Sequence, residues 1–392
     1  MFFRSLLLCL TAATSVQAWD YEGHRTVNQL ALAGLPSDFP AFVKHPAAAE
    51  RIAFLAGEPD RWRSTNELAL KHVNGPDHFL DFEYLTDAGI AVGDLSEFRY
   101  VYTVQFAAAH AAHPEKFPAI DPAKNKDRTR ELIGYLPWAI LEHYAKLKTA
   151  FAYLRAYEEG GTPEEIANAQ ANIIYLMGVM GHYVGDGAQP LHTTKHHAGW
   201  VGENPNNYTR AHSIHAWIDG GFIGLGKLTT QDLASQVRPA RMLGVGTDEI
   251  KTSASATPAS TSPTEPAPTS ATAQNPIFGD ILAYLLVQHA QVEPLYQLEA
   301  RGALKADASV NDQANGRAFI GEQLLRGGEM LSSLWFTAWK QATPDAYLRA
   351  QLKKRKAAAS TAITPSAATA TNPPTTTPTP QPSMPPATPV AP

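Results

Sequence analysis

The sequence predicts a mainly α-helical protein, and three observations support that prediction. Thr162-Pro163-Glu164-Glu165 combines a capping residue, a proline suited to the first helical position and a glutamate that completes a capping box. Apolar residues then recur at helical spacing as far as Val184, and the same period returns in other segments. Sustained two-residue alternation with hairpin turns, which is typical of strands, is hard to find.

The helical period places the elements along the chain. In the segment 278–300, one stripe collects Leu282, Leu285, His289 and Val292. Helices are predicted, in chain order, over residues 22–32, over 131–157, from Pro163 to an end near His182 and Asp186, over 278–300 and over 318–341.

The first eighteen residues are typical of a signal peptide. Arg4 precedes a short apolar run, and Val16-Gln17-Ala18 is a small-x-small cleavage site. No later stretch reaches the eighteen apolar residues of a membrane span, so we expect an exported protein, periplasmic or extracellular. Cleavage after Ala18 would give Trp19 a free α-amine, although cleavage alone favours the interpretation that Trp19 is just the first ordered residue.

Composition narrows the classes of function. A formal charge of -5 argues against a general polyanion-binding protein. The only cysteine, Cys9, lies in the predicted leader, which excludes a disulfide within the chain and a cysteine-ligated metal cluster. Fourteen histidines point instead to nitrogen and oxygen ligands.

Two segments are predicted to be disordered because they hold too little apolar surface to offset ordering entropy. Residues 252–274 are built from Ser, Thr, Ala and Pro, and residues 357–392 carry no charged side chain. We therefore expect one helical domain over 19–355 with an insertion near 250–275, followed by a tail over 356–392. A glycosylated or wall-spanning stalk is the alternative for the tail.

Histidine and aspartate recur in a pattern that favours metal binding. His182 and Asp186 are four residues apart, as are His215 and Asp219, so a helix would place each pair on one face. His192 lies between the pairs, just beyond Pro190. Imidazole nitrogen with carboxylate oxygen is the ligand set of catalytic zinc. One such pair is more often a surface ion pair, whereas two pairs and a histidine close together favour metal.

Candidates upstream are weaker when each is taken alone. Asp60 and Arg63 are three residues apart, but Asp60 follows a proline and could be a helix cap. His78-Phe79-x-Asp81 sets an imidazole beside an aromatic ring and a carboxylate, although such a phenylalanine usually lies in the core. His24, near the predicted mature N-terminus, is a further candidate ligand, and the alternative is that it has an ordinary structural role.

Taken in order along the chain, these pieces resemble the zinc-dependent phospholipase C and single-strand nuclease superfamily. They are most similar to the secreted three-zinc nucleases of fungi, plants and bacteria. The resemblance covers roughly residues 19–221, with helices to about residue 352 completing the domain. It rests on Trp19 with Gly23-His24, Asp60 with Arg63, His78-Phe79-x-Asp81, His182-x-x-x-Asp186, Gln189-Pro190-Leu191-His192 and His215-x-x-x-Asp219.

The resemblance implies a helical domain that holds three zinc ions. Its implied ligands are Asp60, His78, His182 and Asp186 for one ion; His192, His215 and Asp219 for a second; and the amine and carbonyl of Trp19 with His24 and a shared Asp186 for the third.

The resemblance also implies the chemistry, which is phosphodiester hydrolysis of single-stranded DNA or RNA to 5′-nucleotides. Zinc lowers the pKa of bound water to about 7 and so supplies hydroxide at neutral pH. In the family pattern the pair of ions bridged by Asp186 has that role, with Asp60 as a ligand, while the ion at His192, His215 and Asp219 takes the leaving oxygen. Arg63 would stabilise the phosphoryl oxygens, and Phe79 and Asp81 would stack on and hydrogen-bond to a base.

Two alternatives remain. The Gly-Gly-Asn motif common in the nuclease branch is absent between His192 and His215, where residues 195–207 look closer to bacterial relatives grouped with phospholipase C. The interval from Trp19 to His24, the terminal Asp219 and the placement of Arg63 favour nuclease over phospholipase. A zinc-binding envelope protein without turnover is the alternative of another class. No stable protein partner is implied.

Overall fold

The computed structural model describes residues 19–226, 228–245 and 275–363. The predicted signal peptide, the insertion over 252–274 and the tail from residue 364 onward lie outside these ranges.

The described residues are mainly α-helical, as the sequence predicts. No strand forms within the described ranges; one isolated antiparallel bridge joins Leu80 to Gly134. No helix in the same ranges is both long and apolar enough to cross a membrane. The helices are α1 Tyr21–Ala33, α2 Ala41–Lys44, α3 Pro46–Leu55, α4 Glu58–Arg63, α5 Leu68–Asn74, α6 Phe82–Asp87, α7 Arg99–Ala112, α8 Leu136–Gly160, α9 Pro163–Ala188, α10 Ile214–Ala216, α11 Phe222–Gly226, α12 Thr230–Leu233, α13 Pro276–His289, α14 Val292–Ala300, α15 Val310–Gln341 and α16 Ala346–Ile363.

Shorter turns complete the chain between these helices. A π-helical turn, Trp217–Gly221, follows α10 directly. The 3₁₀ turns are Gly75–His78, Val92–Asp94, Pro114–Lys116, Pro122–Lys124, Pro190–Thr193 and Ala234–Gln236.

Helix α9 organises the fold around the site. Its predicted capping box is present, because Thr162 accepts from the backbone N–H of Glu165 and Glu165 accepts from that of Thr162. The helix packs against α3, α8 and α15, and every residue from Met177 to Ala188 is buried. Its C-terminal half therefore runs through the middle of the molecule and carries His182 and Asp186 into the interior.

One glycine on α9 allows the close approach of α1. A Cβ atom on Gly185 would lie 2.8 Å from Nδ1 of His24, closer than such contacts are tolerated. The absence of a side chain at this position lets the His24 ring lie against α9 beside Asp186.

The predicted helix over 278–300 is wrong as a single element, because it divides into α13 and α14. Pro294 explains the break: a proline inside a helix lacks the N–H donor and clashes with the carbonyl four residues earlier, here that of Ala290. The other predicted helices each form as a single element, although their ends differ from the predicted ones. Helix α8 starts at Leu136, with Pro137 in its first turn, and α15 starts after Ser309, which caps it by accepting from Asp312 N. Helix α16 extends to Ile363, seven residues into the segment 357–392 that was predicted to be disordered.

Candidate metal centre

The C-terminal half of the candidate site is built on three consecutive elements. Helix α9 presents His182 and Asp186 one turn apart. The helix ends at Ala188, and the 3₁₀ turn Pro190–Thr193 brings His192 back toward it. His215 ends up near Asp219 because α10 continues directly into the π-helical turn.

The N-terminal half adds three residues from separate elements. His24 lies on α1, Asp60 on α4 and His78 at the end of the 3₁₀ turn Gly75–His78. His24 and His78 have no exposed surface, and Asp60 is 6% exposed. The structure thus brings together the histidines and aspartates that the resemblance proposes as ligands.

These side chains form three groups in which the candidate ligand atoms lie within 4.8 Å of one another. His182 belongs to two of the groups, which places the first two side by side. The groups are His24 with His182 and Asp186; Asp60 with His78 and His182; and His192 with His215 and Asp219.

Asp186 is the carboxylate that links the groups. Its Oδ2 lies 2.9 Å from His78 Nδ1 and 3.3 Å from His182 Nε2. Its Oδ1 lies 3.5 Å from His24 Nε2 and 3.7 Å from His192 Nδ1. Both oxygens face imidazole nitrogens, as a carboxylate that bridges two ions must.

Several ring nitrogens face one another in a way that suits a shared cation. His182 Nε2 lies 3.0 Å from His78 Nδ1, and His192 Nε2 lies 2.9 Å from His215 Nε2. Two nitrogens bound at ~2.0–2.1 Å to a tetrahedral ion would lie about 3.3 Å apart. The observed separations are close to that value, so each pair of nitrogens could bind one ion.

Backbone carbonyls set the orientation of two rings. Nδ1 of His182 donates to Ala56 O at 2.7 Å, and Nδ1 of His192 donates to His78 O at 2.6 Å. Each Nε2 is then the nitrogen with a lone pair in the neutral ring. Such outer hydrogen bonds are what hold a histidine ready for a metal ion.

Buried polar atoms without hydrogen bonds collect in the same place. Those that face the groups include the ring nitrogens of His24, Oδ1 of Asp186 and Oδ2 of Asp219. Buried polar groups are nearly always satisfied, so a cluster of exceptions needs a missing partner such as an ion. The donor set and its unsatisfied atoms fit metal ions.

Electrostatics support the same reading. Burial lowers the pKa of His182 to about 4 and that of His192 to about 3, so both rings are neutral and free to bind a cation. Burial raises the pKa of Asp186 and Asp219 well above the ordinary range, and the neighbouring Asp60 adds to the rise at Asp186. Divalent cations would favour the ionised carboxylates instead.

Arg63 lies at the edge of the groups. Its Nε donates to Asp60 Oδ1 at 2.6 Å, and both side chains are largely buried. After burial, the charge of Arg63 is the next largest cause that lowers the pKa of His78. The guanidinium is therefore held beside the group of Asp60, His78 and His182.

The N-terminal residues of the described chain are anchored to the site. The Trp19 ring is fully buried, and its Nε1 donates to Gly185 O at 2.8 Å. The next backbone N–H, that of Asp20, donates to Asp219 O at 3.1 Å. Gln189 also supports this region, because its amide donates to Asp219 Oδ1 at 2.6 Å.

A cavity of about 450 Å³ opens beside the histidines and aspartates. We call it the aromatic cavity; the lining residues used below are Phe79, Asp81, Tyr84, Phe106, His110, Phe117, Lys124, Arg130 and His197. His197 connects it to the third group, since its ring centre lies 6.1 Å from that of His215. Phe79 and Asp81 thus line a cavity that adjoins the third group.

No local sequence pattern predicts most of this cavity. Phe106 and His110 lie on α7, whereas Phe117 and Arg130 lie in the segment between α7 and α8. The one usable signal is the alternation of basic residues in 124–130, which follows Phe117 and precedes α8.

The chain matches no protein-family model, and a comparison with curated proteins found no match.

Proposed function

We propose that this protein is a zinc-dependent phosphodiesterase, and specifically an exported nuclease that hydrolyses single-stranded nucleic acid to 5′-nucleotides. Its helical fold would be of the zinc-dependent phospholipase C and nuclease type. Three zinc ions would be held by Asp60, His78 and His182; by His192, His215 and Asp219; and by His24 with Trp19, with Asp186 bridging the first and third sites.

One observation carries the proposal: three adjoining His/Asp groups lie next to a cavity walled by aromatic rings. Zinc ions at such groups supply a hydroxide nucleophile and stabilise charge on phosphate oxygens. Aromatic side chains stack on bases of any sequence, which requires bases that are not already stacked in a duplex. Single strands are therefore the substrate that suits both halves of the site.

Three side chains would each contact a different part of the substrate. Arg63 would bind the phosphoryl oxygens, because a guanidinium fork matches their geometry. Phe79 would stack on the base. Asp81, whose Oδ1 is buried without a hydrogen bond, would accept from base N–H groups.

A phospholipase C is the second candidate function. Aromatic rings around a carboxylate are also groups that recognise a quaternary ammonium, and the aromatic cavity offers Tyr84, Phe106 and Phe117 around Asp81. Substrate choice at equal metal loading separates the two. A phospholipase would hydrolyse phosphatidylcholine and leave DNA intact.

The direct test follows release of acid-soluble nucleotides from single-stranded DNA by zinc-loaded protein that begins at Trp19. We expect 5′-phosphorylated products, and complete loss of release when a chelator removes the ions. Restored zinc should restore activity. Protein that holds its zinc but releases no nucleotides would contradict the nuclease proposal. It would favour a phospholipase C or a zinc-binding protein without turnover.

A separate prediction concerns the free amine that cleavage of the signal peptide would leave on Trp19. Because the free amine of Trp19 is proposed as a ligand, an added residue before Trp19 should weaken one of the three zinc sites. Metal content per chain, measured by mass spectrometry, should fall from three ions toward two in the extended form. Equal zinc content in the extended and mature forms would contradict the role of the amine.

A further inference from the structure

The lining of the aromatic cavity includes two cations that the proposed chemistry leaves unused, beside the carboxylates of Asp81, Asp121 and Glu131. Lys124 and Arg130 both line it, on the segment that links the 3₁₀ turn Pro122–Lys124 to α8. Both side chains are exposed and thus accessible to a ligand.

Two of the four cations on this segment form ion pairs. Lys124 lies 3.8 Å from Asp121, and Arg128 lies 2.9 Å from Glu131. Among the residues that the structure describes, Arg130 forms no ion pair. It is therefore the cation of the cavity wall whose charge is not committed to a carboxylate of the chain.

The backbone holds Arg130 in place. Its N–H donates to Asn125 Oδ1 at 3.1 Å, and its Nε donates to Lys124 O at 2.9 Å. Asn125 is buried, which fixes this small loop. The Nε bond orients the guanidinium and leaves its two terminal nitrogens to meet a ligand.

The charge of Arg130 acts toward the third group. It is one of the charges that lower the pKa of His197, although burial is the largest cause there. His197 in turn lies beside His215. Arg130 thus lines the same cavity as His197, whose ring lies beside the group of His192, His215 and Asp219, the proposed position of the leaving oxygen.

These positions identify the ligand, on the assumption that the proposed function is right. Hydrolysis to 5′-nucleotides makes the 3′-oxygen of the upstream nucleotide the leaving oxygen. The base in the cavity beside that position belongs to the same upstream nucleotide. Its remaining phosphate is the 5′-phosphate, which a guanidinium can bind with two parallel hydrogen bonds.

We propose that Arg130 is a specificity residue that binds the 5′-phosphate of the nucleotide whose base occupies the aromatic cavity. The protein would then prefer substrates in which the upstream nucleotide carries a phosphate on each side. This property favours strands and 5′-phosphorylated ends over a dinucleotide that has only the scissile phosphate.

Two dinucleotides test this, because TpT and pTpT share one scissile bond and differ only in the 5′-phosphate. We expect wild type to show a kcat/KM about tenfold higher for pTpT, a typical effect of hydrogen bonds to a charged group. Arg130→Gln should bring this ratio near one. Arg130→Lys should recover part of the preference, which should shrink with added salt.

Lys126→Gln is the matched control, because Lys126 is an exposed cation of the same loop that does not line the cavity. It should keep the preference for pTpT. An Arg130→Gln variant that keeps the preference, or a Lys126→Gln variant that loses it equally, would overturn the role of Arg130.

Binding separates this inference from the proposed function. Phosphorothioate analogues of the two dinucleotides, titrated calorimetrically into zinc-loaded protein, report the same ratio without turnover. If wild type cleaves neither dinucleotide but binds the pTpT analogue more tightly through Arg130, the nuclease proposal fails and the phosphate site stands. If wild type binds both analogues equally, the phosphate site is wrong whatever the activity.

Discussion

Replacement of Asp186 by asparagine is expected to abolish activity and to remove most of the bound metal. Asp186 faces four histidines, with contacts from 2.9 Å to His78 to 3.7 Å to His192. Asparagine keeps the size and shape but removes the charge that offsets two cations. Loss of metal removes several kcal/mol of charge stabilisation, which corresponds to a rate reduction on the order of 10³-fold or more.

The same variant should behave differently with and without metal. Burial raises the pKa of Asp186 far above its ordinary value, so an ionised carboxylate is costly in metal-free protein. Asp186→Asn should therefore not lower the melting temperature of metal-free protein. It should lose most of the increase in melting temperature that zinc gives the wild type, because that increase reflects binding to the folded state.

Asp38→Asn provides the control, since Asp38 forms a surface ion pair with Lys340 at 2.9 Å. It should leave zinc content, activity and the zinc-dependent rise in melting temperature unchanged. Three bound ions per chain in Asp186→Asn, measured by mass spectrometry, would refute the bridging role.

The sequence could predict the parts of the site whose geometry is local. His182 and Asp186 lie on one face because residues four apart on a helix do so. Asn28 illustrates what spacing does not reveal. Its amide nitrogen donates to Ile52 O and Gly178 O, which ties α1 to α3 and α9 and so sets the position of His24.

His24, Asp60 and His78 come from separate elements, and no spacing rule connects them to α9. The resemblance alone grouped them, and the structure brings them together. The resemblance does not predict that His182 contributes to two groups, because that depends on how α1 and α4 pack against α9.

The fold shows the same division between local and tertiary causes. The capping box at Thr162 is a local signal, and it marks the start of α9 correctly. Pro294 was also visible, but the apolar stripe through Leu285 and Val292 masked its effect. The aromatic cavity depends on α7 and the segment 117–133 meeting Phe79, a tertiary contact that no periodicity contains.

Arg63→Ala is expected to lower turnover by about 10²–10³-fold while zinc content stays at the wild-type level. This is the usual loss when one donor to a developing oxyanion is removed. The role requires a guanidinium near the ions but not bound to them, and Arg63 meets this because its Nε contacts Asp60 Oδ1 at 2.6 Å. The loss should appear mainly in kcat, because transition-state charge is greater than that of the bound phosphodiester.

One further variant separates the effect of the charge of Arg63 from that of its shape, and another is the control. Arg63→Lys keeps the cation but lacks the planar fork, so its turnover should fall between that of wild type and Arg63→Ala. Arg61→Ala changes the same residue type on the same helix, but Arg61 is exposed and pairs with Glu58, so its turnover should match wild type. A fall in zinc content of Arg63→Ala, in parallel with its activity, would mean that Arg63 acts by holding Asp60 in place. Full activity with full zinc would remove Arg63 from the mechanism.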